Sequence, residues 1–173
     1  RQYFGCFNFL VRGDARANFT LDGRTRRPPR DRMNALLSFL YSMLMNDCRS
    51  AVESVGLDPP LGFLHALRPG RAALALDLME EFRHQADRLA LTLVNRGQLG
   101  VDDFMLHEGG GVTLDERGRK AVVVAWQERK QEEISHPLLE EPVALGLLPQ
   151  LQARLLARTL RGDMDDYVPF LMR

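Results

Sequence analysis

The run DRMNALLSFLYSMLMNDCRSAVESVG, residues 31–56, decides the fold class of this chain. Leu36, Leu37, Leu40, Leu44, Cys48, Val52 and Val55 recur at steps that keep them on one face of an α-helix, the spacing of a buried stripe. Asp31 supplies an N-cap, Gly56 tolerates the left-handed end, and Asp58-Pro59-Pro60 makes a turn beyond it. A helix is therefore predicted over about 32–55, with Asn34, Ser38 and Tyr41 on a neighbouring stripe.

Outward from this helix the chain stays helical. Toward the N-terminus, Tyr3-Phe4, Phe7 and Leu10-Val11 have helical spacing without a cap, as in the tail of a helix. Residues 12–30 read as a polar loop, and Pro28-Pro29 forbids helix at its end. Arg24, Arg26, Arg27 and Arg30 make that end an exposed basic arm. Downstream, one helix is predicted from near Ala73 to about Val94, with Leu74, Leu78, Phe82, Leu89 and Leu93 facing the core. Asp77, Glu80, Glu81, His84 and Arg88 share another face of it. A short turn at 101–104 leads to a small β-hairpin, Phe104-Met105-Leu106 against Val112-Thr113-Leu114. The glycines 109–111 between them lack the Lys-Ser/Thr of a phosphate-binding loop.

Asp115 caps a helix to about Glu133 with Ala121, Val124, Ala125 and Glu128 at helical spacing, broken by His136-Pro137. A last helix is predicted from near Pro142 to Arg161. Leu147, Leu148, Leu151, Leu155 and Leu156 form its core face, and Gln152, Arg154, Arg158 and Arg161 turn to solvent or a partner. The apolar end of the tail, Val168-Pro169-Phe170-Leu171, docks on the body. The expected class is all-α with at most one small hairpin, and residues 1–173 are expected to form a single helical domain.

Composition narrows the function classes. Lys plus Arg and Asp plus Glu each number 23, so no whole-surface charge draws the chain to nucleic acid. Lys occurs only at Lys120 and Lys130; the arginine excess suits bidentate phosphate binding and equally tracks a GC-rich genome. No stretch is long and apolar enough for a transmembrane helix, and no signal peptide opens the chain. Arg1 is not an initiator Met, so a processed product or fragment is expected. Cys6 and Cys48 have no metal-binding or redox spacing and read as thiols of a reducing compartment.

The chemistry concentrates in Gly62-Phe63-Leu64-His65 and Leu74-Ala75-Leu76-Asp77-Leu78-Met79-Glu80-Glu81-Phe82-Arg83. Asp77, Glu80 and Glu81 stand at i, i+3 and i+4 and are expected to project together. Like charges on one patch call for a cation, with His65 as an imidazole ligand brought over by the loop. The competing explanation is plain: acids early in a helix offset its dipole, and a loop histidine packs or caps.

Those segments, with Asn34 to Tyr41, Gly56-Leu57-Asp58-Pro59 and Leu151 to Arg158, carry a family resemblance. The chain resembles the CRISPR-associated endonuclease/integrase of the spacer-acquisition module, most like its type I-C branch. The resemblance implies a C-terminal helical catalytic domain of a longer protein whose N-terminal β-rich domain is absent here. It implies an active site of a Glu, a His and an Asp or Glu around Mg²⁺ or Mn²⁺. His65 and Glu80 match the metal-binding positions, with Asp77 a neighbouring acidic residue of the catalytic group. The first Glu would fall upstream of Arg1, so the chain alone is expected to be inactive. The implied reaction inserts spacer DNA into a CRISPR array by transesterification, in antiviral defence in the prokaryotic cytoplasm. Implied partners are duplex prespacer and repeat DNA, a second copy in a homodimer and a small ferredoxin-like CRISPR-associated protein, with no membrane. Arg24, Arg26, Arg27, Arg30, Arg68, Arg71 and Arg83 are the candidate DNA-binding residues. The alternative is a folded, inactive helical module for dimer, DNA or partner contacts.

Overall fold

A computed structural model describes residues 2–171. Six α-helices dominate it: α1 Gln2–Phe7, α2 Arg32–Ser54, α3 Ala73–Glu80, α4 Arg83–Asn95, α5 Glu116–Gln131 and α6 Leu148–Leu160. The strands are short. β1 Phe104–Leu106 pairs antiparallel with β2 Val112–Leu114, in the register Phe104 to Leu114. β3 Glu133–Ser135 pairs antiparallel with β4 Pro142–Ala144. The all-α class holds, and the second ribbon adds to the one hairpin expected. None of the described helices is long and apolar enough to cross a membrane.

The long helix starts where its cap predicts: Asn34 N donates to Asp31 Oδ1 at 2.7 Å. Leu36, Leu37, Leu40, Leu44, Cys48 and Val52 are all buried. The chain divides into two compact units, Arg1–Tyr41 with Gln85–Gln127, and Ser42–His84 with Glu128–Arg173.

In the first unit, the core takes Phe7, Val11, Phe19, Met33, Ala86, Leu89, Val122 and Trp126. Phe19 meets Phe104 edge-on at 5.7 Å. Asp87 is a buried carboxylate that accepts the hydroxyls of Tyr3 at 2.6 Å and Tyr41 at 2.5 Å. Burial, then the hydrogen bond and charge of Asp87, push the Tyr3 phenol pKa up. The glycines between β1 and β2 form only the hairpin turn, with Gly110 at φ 72°. Asp115 caps α5 through Gly118 N at 2.6 Å. The buried face of α5 is Gly118, Val122 and Trp126; Val124, expected on the predicted stripe, is exposed. Helical spacing fits two adjacent faces of this polar helix, and the aromatic volume of Trp126 selected one.

The second unit holds three corrections. The predicted continuous helix from Ala73 to Val94 is broken: α3 ends at Glu80, a turn passes through Glu81 and Phe82, and α4 begins at Arg83. Glu81 N and Phe82 N bond to Leu78 O and Met79 O at 3.2 and 3.0 Å, the tight pattern of a helix end. No Gly or Pro marks the break. Residues 142–147, predicted as the first turns of the last helix, form β4 and a 3-10 turn, and Leu147 is exposed. Gln152, predicted on the solvent face, is fully buried. The tail docks as predicted, with Phe170 buried and its ring 5.6 Å from Phe82.

Candidate active site

Asp77 is the organising group of the site. Its side chain is 8 % exposed, and it projects from the second turn of α3 toward the loop before it. Oδ2 accepts the backbone N–H of Phe63 at 2.6 Å and of Leu64 at 2.9 Å. Oδ1 accepts the backbone N–H of His65 at 3.0 Å and meets the ring Nδ1 of His65 at 2.5 Å. One carboxylate therefore fixes three successive loop residues and the imidazole. Burial alone would raise the Asp77 pKa. The hydrogen bonds from Leu64 N, the His65 ring, Phe63 N and His65 N outweigh it and hold the carboxyl below its usual range.

The local sequence explains the close approach. A Cβ on Gly62 would meet Asp77 Oδ2 at 2.7 Å and the Ala73 carbonyl carbon at 2.8 Å, so only glycine lets the loop lie this near α3. Leu74 N bonds to Pro59 O at 2.8 Å and ties the loop's start to the helix. An ionised carboxylate only accepts, so Nδ1 of His65 carries a proton, and in the neutral imidazole Nε2 is then the nitrogen that presents a lone pair. This is how metal-binding histidines are oriented elsewhere: a carboxylate on one ring nitrogen fixes the tautomer and makes the other a better ligand.

The three carboxylates do not form the common patch that their spacing suggested. Asp77 faces the loop. Glu80 accepts Arg83 Nη1 at 3.0 Å. Glu81 accepts the Tyr167 hydroxyl at 2.5 Å, Gln152 Nε2 at 3.0 Å and Phe170 N at 2.6 Å. His65 and Asp77 are thus brought together, while Glu80 lies one helical turn past Asp77 and meets Arg83. Among the described residues no three His, Cys, Asp or Glu side chains converge as a ready-made metal centre.

The predicted arginines separate in the same way. Arg26, Arg27 and Arg30 are exposed on the loop, and Arg30 Nη1 reaches Gly109 O at 3.4 Å. Arg24 turns inward instead: Nη1 donates to Asn34 Oδ1 at 2.7 Å, Nη2 to Ser38 Oγ at 3.1 Å, and the guanidinium lies 5.4 Å from the centre of the Tyr41 ring. The stripe of Asn34, Ser38 and Tyr41 was visible in sequence as a polar line without an assigned partner; Arg24 is that partner. Arg68 is exposed, Arg71 half-buried, and Arg83 carries the Glu80 pair. Sequence reasoning named Gly62, Glu81 and Gln152 but missed their roles, which rest on contacts with residues further along the chain.

The fold and the site define an all-α domain whose candidate reactive group is a histidine oriented by a carboxylate. The chain belongs to the family of CRISPR associated protein Cas1, whose family model matches residues 1–128. It is 58% identical over 174 residues to CRISPR-associated endonuclease Cas1 1 of Moorella thermoacetica, covering 100% of this chain and 50% of that protein. It is 51% identical over 173 residues to CRISPR-associated endonuclease Cas1 of Leptospira interrogans, covering 100% of this chain and 68% of that protein. The chain thus spans about half the length of the Moorella relative. Among solved structures, a casposase bound to integration product superposes with TM-score 0.86 at 26% identity, over 95% of this chain and 48% of that one. A Cas1 protein from Thermotoga maritima gives TM-score 0.82 at 31% identity, over 93% and 49%. A Cas6-RT-Cas1–Cas2 complex gives 0.82 at 28%, over 99% and 18%.

Proposed function

We propose that this chain is the helical catalytic part of a DNA endonuclease/integrase that inserts spacer DNA into a CRISPR array. Its family supports the reaction class, and the likeness to a casposase bound to integration product supports a DNA-joining step. The observation that carries the reading is the Asp77 carboxylate on Nδ1 of His65, which leaves Nε2 as the ring nitrogen for a metal. In the reaction a 3′-hydroxyl of the incoming duplex attacks a repeat phosphodiester, and the bridging oxygen leaves with the broken strand.

The residues fit a divalent cation, Mg²⁺ or Mn²⁺. His65 offers an imidazole nitrogen and Glu80 a carboxylate, while Cys48 is buried and both cysteines are free of each other. Bound there, the cation would polarise the phosphodiester and offset charge on its oxygens. Asp77 holds the loop and the imidazole in place. Arg68, Arg71 and Arg83 engage phosphates near His65, and Arg26, Arg27 and Arg30 engage backbone phosphates on the loop before α2. Arg24 serves the loop itself. The working assembly is a homodimer with a Cas2-like partner in the prokaryotic cytoplasm; the Cas1–Cas2 complex among its structural relatives supports the Cas2-like partner.

A strand-joining assay of the full-length protein tests this. His65→Ala and Glu80→Ala are each expected to abolish joining while leaving the fold intact by circular dichroism. Undiminished joining by either variant overturns the assignment and leaves the chain as a binding module.

A further inference from the structure

The corner between α3 and α4 is gripped from one side by the C-terminal segment. Glu81 accepts the Tyr167 hydroxyl at 2.5 Å and the Phe170 N–H at 2.6 Å. Gln152 is fully buried in α6, and its Nε2 bridges Glu81 Oε2, the Tyr167 hydroxyl and Val168 O at 3.0, 3.0 and 3.1 Å. The next residue, Phe82, is completely buried and stacks on Phe170 at 5.6 Å. Both residues of the turn are thus held by the tail. The residues flanking the turn, Glu80 and Arg83, pair with each other across it at 3.0 Å.

A helix interrupted without Gly or Pro needs an external cause. The tail supplies one, because it holds Glu81 and Phe82, the two residues at which α3 stops. Glu80 is the last residue of α3 and directly precedes the held pair, so tail docking pins the helix end from which Glu80 projects. We infer that Glu81 is a positioning residue and that the segment Tyr167–Phe170 is part of the catalytic apparatus, acting as a strut that sets the geometry of Glu80. This rests on the proposed function, because it supposes that Glu80 binds the cation.

The test uses the full-length protein. Tyr167→Phe keeps the ring and removes the hydroxyl that donates to Glu81 and accepts from Gln152. Leu155→Val, in the buried face of α6, serves as a control matched for thermal stability. Strand joining, Mn²⁺ affinity by titration and the KM for DNA are measured for both. Tyr167→Phe is expected to lower Mn²⁺ affinity and kcat by roughly 10-fold, within the range found when groups supporting a metal ligand are removed. KM for DNA stays unchanged, and Leu155→Val moves none of the three. Equal effects of the two variants, or unchanged Mn²⁺ affinity in Tyr167→Phe, overturn the strut. His65→Ala in the same assays separates the two levels. If it destroys joining while Tyr167→Phe behaves as the control, only the strut fails. If it leaves joining intact, the proposed function fails and the strut with it.

Discussion

Replacing Asp77 by Asn probes the site most sharply, because the change preserves shape and removes only charge and one acceptor. The carboxylate receives four donors, two on each oxygen. An amide has a single oxygen. With that oxygen toward Phe63 and Leu64, the amide NH₂ confronts the His65 N–H and the ring Nδ1. The reverse orientation opposes the NH₂ to two backbone donors and is worse. In the better orientation Nδ1 must become an acceptor, so the ring proton moves to Nε2 and the lone pair offered to a metal disappears. Two charge-assisted bonds at about 1.5–3 kcal/mol each set a ceiling on the stability loss. Water reaches the loop, since Phe63 and Leu64 are 67 and 78 % exposed. The net cost is therefore about 2 kcal/mol, well under that ceiling.

The assay pairs urea unfolding with ¹⁵N chemical shifts of the His65 ring. Asp77→Asn is expected to lower stability by about 2 kcal/mol at neutral pH and to move the His65 proton from Nδ1 to Nε2. The pH dependence has a definite sign. A carboxyl whose folded pKa is depressed stabilises the protein above its unfolded pKa and loses that contribution as pH falls through the folded value. The gap between wild type and Asp77→Asn should therefore be full at neutral pH and close below about pH 4. A ring proton that stays on Nδ1 in Asp77→Asn, or a stability gap that persists unchanged in acid, refutes the reasoning.

Other perturbations have equally direct outcomes. Gly62→Ala places a Cβ 2.7 Å from Asp77 Oδ2 and should lift the loop off α3, lowering stability by about 2 kcal/mol and increasing hydrogen exchange at Phe63, Leu64 and His65. The double change Arg26→Ala and Arg27→Ala should weaken DNA binding in the full-length protein without altering thermal stability. The slope of log affinity against log salt should become shallower by about 2, roughly one unit for each phosphate that no longer meets an arginine. Asn34→Ala removes a buried amide that joins Gly23 O, Thr25 N, Arg24 and Asp31, and should cost about 2–3 kcal/mol by denaturant unfolding.

Periodicity and caps were enough to find α2, because Asp31, Gly56 and seven apolar positions agree over more than six turns, and each acts locally. The hairpin at 104–114 was legible for the same reason: alternating side chains and a glycine turn need no distant partner. The residue types in Gly62-Phe63-Leu64-His65 and at Asp77 and Glu80 marked the proposed site in the sequence. The family resemblance rested on those same stretches.

Local signals stop where partners lie far along the chain. Nothing near Glu81 announces the end of α3, because the groups that hold the corner are Gln152, Tyr167 and Phe170, at least 71 residues away. Helical spacing alone placed Asp77, Glu80 and Glu81 on one patch; tertiary contacts sent Asp77 to the loop and Glu81 to the tail, while Glu80 paired with its near neighbour Arg83. Arg24 looked like its exposed neighbours until Asn34 and Ser38 were seen to take its guanidinium. Sequence by itself determined most of the elements and the residue types available for chemistry, since these depend on short-range sterics and burial. Only the tertiary structure decided which partner each polar group took, because a buried charge goes where donors converge, and that convergence belongs to the folded chain.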